Sequence, residues 1–322
     1  MRKFNLFLTE ILPKFDLVLA YLLYLPARFM KAIRARGINH FPRCRQVFLK
    51  IGVFPILDHF YDPLFNEQHL KKPLTEPRIL PGIEWNDQSQ LDLLEQFHYN
   101  EELTGIKMYK EDDETFHFNN NVFDAGDAET WYNMIRWFQP KCIIEIGSGY
   151  STLMAIKAIK RNKHEDHGYQ CQHICIEPYL ASWLEHADVT VIRKPVEDVE
   201  LELFSSLQPH DLVFIDSSHI IRPQGDVLYE YFRILPVLAG GVIVHIHDIF
   251  SPRDYLTEWI VEEKRLWNEQ YLLEALLMSN PEWRIMAALN YLSHSYYAQL
   301  KATCPFLAPT SEPRSFYIRK VG

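Results

Sequence analysis

The sequence predicts an α/β fold in which a doubly wound, mostly parallel seven-stranded sheet follows a mostly helical and irregular N-terminal extension. From about Gly126 onward short apolar runs alternate with helical stretches, the pattern of a parallel sheet with crossover helices. No internal repeat or low-complexity segment interrupts that alternation. The chain has 322 residues, 48% apolar, 23% charged and 14% aromatic, enough to bury a sizeable core. These features divide it into an apolar and basic helix over 1–36, the rest of the extension over 37–125, and the sheet domain over 126–322.

In the extension, the uncharged stretch Leu17 to Ala27 (LVLAYLLYLPA) is far short of the ~20 residues that span a bilayer. Glu10 and Asp16 interrupt the apolar run and no small-residue cleavage site follows, so a secretory leader is not expected. A helix is expected between Pro13 and Pro26, apolar nearly all round, with the cations Arg28, Lys31, Arg34 and Arg36 after it. Two readings stand: an anchor in the interface of an anionic membrane, or a helix packed on the protein's own core or on a second subunit. From Phe41 to Glu101 the chain is punctuated by Pro42, Pro55, Pro63, Pro73, Pro77 and Pro81, which predicts irregular structure shielding the next domain.

The expected strands are Cys142–Ile146, His173–Ile176, Val189–Arg193, Leu212–Ile215, Val242–Ile246, Arg284–Leu289 and Ser315–Arg319. Pro140 stops the helix before the first, and Gly240-Gly241 turns into the fifth. The first strand runs into Glu145-Ile146-Gly147-Ser148-Gly149-Tyr150-Ser151-Thr152, then a helix through Lys160. Glycines at such a turn let the backbone approach a ligand and leave helix N-terminal amides facing the crevice at the strand ends. Glu177, ending the second strand, is placed to accept hydrogen bonds from both hydroxyls of a ribose. A dinucleotide is matched less well, because Thr152 occupies the third glycine position of GxGxxG. Acid-flanked glycines suit a ligand carrying ammonium and sulfonium groups.

EIGSGYST, IEP, FIDSSH and GGVIVHIHD, in this order over roughly residues 125–320, resemble the motifs of class I S-adenosylmethionine-dependent methyltransferases. The resemblance implies that Glu145, Gly147, Ser148, Gly149, Tyr150 and Ser151 hold the amino-acid part of the cofactor. It likewise implies that Glu177 holds the ribose and that Val196 to Asp198 meet the adenine. Ser151 replaces a third glycine and adds a hydroxyl near the cofactor.

The fourth strand ends Asp216-Ser217-Ser218-His219 and the fifth His245-Ile246-His247-Asp248, both at the crevice where open parallel sheets bind ligands. Converging Asp and His suit acid/base or metal chemistry. Any one of them alone would read as a turn cap or a polar edge residue. The sugar O-methyltransferases of macrolide biosynthesis resemble this arrangement: there an Asp after the fourth strand and an acidic pair after the fifth bind a divalent cation, and a His three residues past that Asp is the base. The resemblance implies His219 as base with Asp216 beside it, and Asp216, His247 and Asp248 around Mg²⁺ or Mn²⁺. His247-Asp248 departs from the acidic pair, and a mixed N/O set also suits Fe²⁺ or Zn²⁺. His245 reads as a core or supporting residue.

Between the fifth and sixth strands, Ile249–Met278 is an insertion whose Arg253, Tyr255, Trp259 and Trp267 are expected either as a substrate wall or as plain packing. His117 to Asn121 and Gly126 to Glu129 are candidates for a segment closing over the cofactor.

The net charge of −9 argues against a general nucleic-acid binder, and residues 1–60 carry a local excess of seven positive charges, leaving −16 on the remainder. Nucleic acid is therefore not an expected partner. The five cysteines form no CxxC pair, so reduced thiols in a cytoplasmic protein are expected and a finger-type zinc site is not. The expected activity is methyl transfer from S-adenosylmethionine to a hydroxyl of a sugar or small molecule. A cytoplasmic place is expected, peripheral on the inner face of a membrane under the first of the two readings of the N-terminal helix, with self-association open. Alternatives are a non-catalytic scaffold attached to a membrane or protein, and another metal-dependent enzyme on the same fold.

Overall fold

The computed structural model describes residues 12–321. Arg2, Lys3 and Glu10 of the extension lie outside the described residues. The chain divides into two compact units, residues up to Lys71 with Ile260–Leu266, and Lys72–Trp259 with the chain from Trp267 onward. Helices of at least seven residues are labelled in chain order below.

The first unit holds α1 (Asp16–Arg36) and α2 (Pro42–Ile51). Pro26 was expected to end the first helix, and it does not: α1 runs through it to Gly37. A proline removes one intrahelical hydrogen bond, but the following Ala27, Arg28, Met30, Lys31 and Ala32 are strong helix formers, and Asp16 and Arg36 sit at the ends the helix dipole favours. The irregular structure expected from Phe41 to Glu101 is likewise corrected. Pro42 opens α2 at the first turn, where its missing N–H costs nothing, and α3 (Asp87–Leu94) forms in the second unit. Gln90 of α3 is buried, its side-chain oxygen accepting the Ala288 N–H at 2.8 Å, so α3 covers an edge of the sheet.

The second unit is built on one seven-stranded sheet in the order β3-β2-β1-β4-β5-β7-β6. The strands are β1 (Cys142–Ile146), β2 (Gln172–Ile176), β3 (Thr190–Ile192), β4 (Leu212–Ile215), β5 (Ile243–Ile246), β6 (Trp283–Ala288) and β7 (Phe316–Lys320). β1 to β5 pair in parallel, and β7 inserts antiparallel between β5 and β6. Alternation along the strands feeds two cores. Ile143, Phe214 and Tyr317 pack with α4 (Asp127–Phe138) and α5 (Tyr150–Glu165) on one face. Ile144, Ile146, Val213 and Ile215 pack on the other with the helical run 226–237 and α6 (Glu269–Leu277). α7 (Leu289–Ser295) and α8 (Tyr297–Thr303) return the chain to β7. The sheet is doubly wound, and its carboxyl ends carry the glycine loop and both Asp/His clusters.

Candidate active site

The glycine loop is dictated by how closely it passes β4. Gly147 has φ +88°, its N–H donates to the Ile176 carbonyl, and a Cβ there would collide with the Asp216 backbone oxygen. Only glycine fits both demands. Gly149 has open space where a Cβ would stand, so its lack of a side chain leaves room for a ligand instead. Gly147, Glu177, Val196 and Asp216 line one cavity of about 630 Å³, with Ser217, Arg222 and Asp226 on its wall. The Glu177 carboxylate accepts the Tyr179 N–H at 2.9 Å.

The other expected cofactor contacts are distributed differently. Gly149 and Tyr150 line a separate recess of about 190 Å³ with Trp183 and Leu153. The Tyr150 hydroxyl lies 3.1 Å from His117 Nε2, so the 117–121 segment packs on the start of α5. Glu145 is buried beneath the loop, accepting from the Thr152 hydroxyl and lying 3.4 Å from His173 Nε2 and 3.7 Å from Cys175 Sγ. Ser151 is buried and gives its carbonyl to Trp131 Nε1, while Ser148 Oγ has no hydrogen-bond partner among the described residues.

At the ends of β4 and β5 the predicted acids and imidazoles converge. His219 Nε2 lies 3.2 Å from Asp216 Oδ1 and 3.3 Å from Asp248 Oδ2. His247 Nδ1 lies 3.6 Å from a carboxylate oxygen of each aspartate. Donor atoms of Asp216, His219 and Asp248 fall within 4.8 Å of one another, a spacing that suits a metal ion, and His247 stands beside that trio. His219 and Asp248 both have φ +57°, a left-handed conformation that costs energy for residues with side chains and is retained where packing imposes it. Here it turns both side chains back over the strand ends.

Sequence reasoning missed the groups that hold these side chains. Glu269, the first residue of α6, places Oε2 2.8 Å from His219 Nδ1, and the His219 carbonyl in turn accepts the N–H groups of Asn268 and Glu269. Asp127 Oδ2 lies 3.7 Å from His247 Nε2, while its Oδ1 accepts the N–H groups of Arg314 and Ser315. Arg314 Nε lies 3.3 Å from Asp248 Oδ1. Asp226 accepts from the Ser218 backbone and hydroxyl. An Asn-Glu pair opening a helix was the one local sign of Glu269, and nothing local tied it to His219.

Burial opposes charge on both imidazoles, yet the carboxylates win. Hydrogen bonds to Asp216 and Glu269 and the charge of Asp248 hold the His219 pKa well above its ordinary value. The charges of Asp248 and Asp216, with Asp127, lift His247 to about 10. Burial would raise the Asp216 pKa, but facing His247 and His219 it is held well below the carboxylate range. His245 goes the other way: burial and the neighbouring His247 charge keep it neutral, stacked on Tyr317 with centroids 4.1 Å apart. Behind Ser217, burial and the charges of Glu269 and Asp226 push the Glu230 pKa well above 4.5.

The insertion after β5 is packing rather than an open wall. Tyr255 is fully buried, its hydroxyl accepting the Gln270 N–H, and Trp259 is buried between Phe250, Trp267 and Arg314. Trp267 covers His219, with ring centroids 4.4 Å apart. Of the two readings, substrate wall or plain packing, Tyr255 and Trp259 therefore take the second.

A family model described as a methyltransferase domain matches residues 144–249. An uncharacterised protein of Archaeoglobus fulgidus is 30% identical over 167 residues, which cover 47% of this chain and 72% of that protein. Among solved structures, this chain is similar to an O-methyltransferase from Bacillus cereus in complex with SAH, at 13% identity, over 73% of this chain and 91% of that one, with a TM-score of 0.37. It is also similar to the O-methyltransferase TomG from Streptomyces achromogenes, involved in tomaymycin synthesis and in complex with SAM, at 13% identity, over 74% and 92% of the two chains, with a TM-score of 0.35. The matched segment begins in β1 and ends just past Asp248, enclosing the glycine loop, Glu177, Asp216 and His219, so the chain carries a methyltransferase domain.

Proposed function

We propose that the chain is an O-methyltransferase acting on a hydroxyl of a sugar or small molecule, with His219 as base. The observation that carries this reading is the convergence of Asp216, Asp248 and Glu269 on one imidazole beside the cavity that Gly147, Glu177 and Val196 line. The residues fit S-adenosylmethionine: the space beside Gly149 is open where a Cβ would stand, and Glu177 lines the cavity with Gly147 and Val196. When bound, that cofactor supplies a methyl group on a positively charged sulfur.

The acceptor hydroxyl loses its proton to His219 Nε2 as its oxygen bonds the methyl carbon and the carbon–sulfur bond breaks. Glu269 fixes the geometry: a neutral His219 that donates from Nδ1 to Glu269 keeps the Nε2 lone pair toward Asp216 and Asp248. Asp216 orients the hydroxyl at the cavity wall. The donor set also fits a divalent cation, because Asp248 Oδ1 and both His247 ring nitrogens are buried with no hydrogen-bond partner among the described residues. Mg²⁺ or Mn²⁺ would be held by Asp216, Asp248 and His247, and would balance the carboxylate charge that otherwise keeps His219 protonated.

The protein is read as cytoplasmic and peripheral at a membrane through the helix within 1–36, with self-association open. The excess of positive charge on 1–60 supports contact with an anionic surface, and a membrane-bound site favours a lipid-linked sugar as acceptor. The test is incubation of purified protein with labelled S-adenosylmethionine and fractionated cell extract. Label appearing in a glycan or small-molecule fraction, and lost with His219→Ala, is the expected result. Saturable cofactor binding without transfer to any fraction would favour the scaffold reading.

A further inference from the structure

The first unit carries an arm that the rest of that unit does not support. The C-terminal half of α1 is tied down: Arg34 Nη2 pairs with Asp62 Oδ1 at 2.7 Å, and its guanidinium lies 5.4 Å from the Phe54 ring. Phe54 meets Phe48 of α2 edge-on, and the second Asp62 oxygen accepts the Leu57 N–H. Along α1 no residue is buried, and Leu17, Tyr21, Leu22, Leu23, Tyr24 and Leu25 are all exposed. Tyr21 to Leu25 cover more than one helical turn, so the arm is apolar around its whole circumference and not along one stripe that a core could cover.

Charge and length identify what covers it. The apolar Leu17–Ala27 segment is about 16 Å long as a helix, close to half of a ~30 Å hydrocarbon core. No helix among the described residues is long and apolar enough to cross a membrane. Directly beyond the arm come Arg28, Lys31, Arg34 and Arg36, and α2 adds Arg43, Arg45 and Lys50, against the acids Asp16, Asp58 and Asp62, the last already paired with Arg34. Phe60 and Tyr61, both highly exposed beside Asp62, supply aromatic rings of the kind that settle among headgroups.

We propose that residues 17–61 form a one-leaflet anchor for an anionic membrane. The Leu17–Pro26 arm enters the hydrocarbon steeply, the Arg/Lys groups of α1 and α2 meet lipid phosphates, and Phe60 and Tyr61 rest at the interface. The inference deepens the peripheral-membrane reading above and rests on it, while being independent of the chemistry of the sheet domain.

The test uses the full chain with phosphatidylcholine vesicles, alone or with about one third phosphatidylglycerol. Binding to the anionic vesicles, weakened about 30-fold by the double substitution Arg28→Gln/Lys31→Gln, is expected from ~1 kcal/mol per cation. Leu22→Asp should abolish binding while leaving S-adenosylmethionine binding unchanged, which excludes misfolding of the sheet domain. With lipids brominated deep in the acyl chain, the emission added by Leu22→Trp should be quenched and that added by Phe60→Trp should not. Binding with equal, shallow quenching at both positions would overturn steep insertion and leave a flat peripheral contact. Absence of vesicle binding, with a dimer in solution that Leu22→Asp dissociates, would overturn the membrane reading in favour of a second copy of the chain.

Discussion

His219 Nδ1 and Glu269 Oε2 lie 2.8 Å apart across 50 residues of sequence, and this pair leaves Nε2 of the imidazole beside Asp216 and Asp248. Replacing His219 by Ala should lower turnover about 10²–10⁴-fold, the range for loss of a general base. Glu269→Gln keeps a hydrogen-bond acceptor but removes the charge that favours imidazolium. A fall in kcat with an unchanged Kd for S-adenosylmethionine is expected, measured by steady-state kinetics and calorimetry. Unchanged kcat in both variants would remove His219 from the chemistry.

The two loop glycines should respond differently to the same substitution. Gly147→Ala forces a Cβ against the Asp216 carbonyl at φ +88°, and should destabilise the fold by roughly 1–3 kcal/mol through backbone strain alone. Gly149→Ala has room in the protein and should leave stability nearly intact while weakening cofactor binding. Denaturant titration paired with calorimetry separates the two; equal losses of stability would contradict the geometry.

Glu177→Ala should weaken S-adenosylmethionine binding and abolish the rise in Tm that the ligand gives to the wild type. A preference for NAD over S-adenosylmethionine in the wild type would overturn the assignment of the cavity lined by Gly147 and Glu177.

Chelation should abolish methyl transfer, and Mg²⁺ or Mn²⁺ should restore it, with Asp248 Oδ1, which lies 3.3 Å from Arg314 Nε and accepts no hydrogen bond among the described residues, as a cation ligand. Electron paramagnetic resonance of Mn²⁺ titrated into wild type and Asp248→Asn gives a readout separate from turnover. Broadening of the Mn²⁺ signal in the wild type alone is expected, and identical titrations would leave Arg314 and the imidazoles as the only partners of Asp248.

Stability should fall as pH rises from 5 to 8 because of Glu129. This buried carboxyl caps α4 by accepting the Gly126 N–H and also accepts the Phe306 N–H. Burial outweighs those bonds and pushes its pKa up from 4.5 to about 7. The folded protein therefore keeps the proton that the unfolded chain releases near 4.5. The stabilisation is complete below 4.5 and lost as pH rises through about 7, on the order of 3 kcal/mol in all. Denaturant titrations should show a shallower decline for Glu129→Gln than for the wild type, whereas parallel declines would place the titration elsewhere.

The sheet was legible in the sequence because each strand is a short apolar run with its own boundaries. β1 and β4 begin and end at the residues expected, and the other five lie within a residue or two. The strand-end rule also brought Asp216, His219, His247 and Asp248 to one crevice, since their place follows from where β4 and β5 stop. Tertiary packing decided what period and spacing do not encode. It set α6 against the β4 loop so that Glu269 meets His219, and ran the chain before β7 past α4 so that Arg314 and Asp127 flank Asp248 and His247. It buried Tyr255 and Trp259, which a local pattern could not distinguish from an open wall. It also carried α1 through Pro26, because one lost hydrogen bond is offset by ten further helical residues, eight of them strong helix formers. Local propensity and alternation act within a few residues and are written in the chain; contacts between distant elements depend on which faces pack, and only the folded structure fixes them.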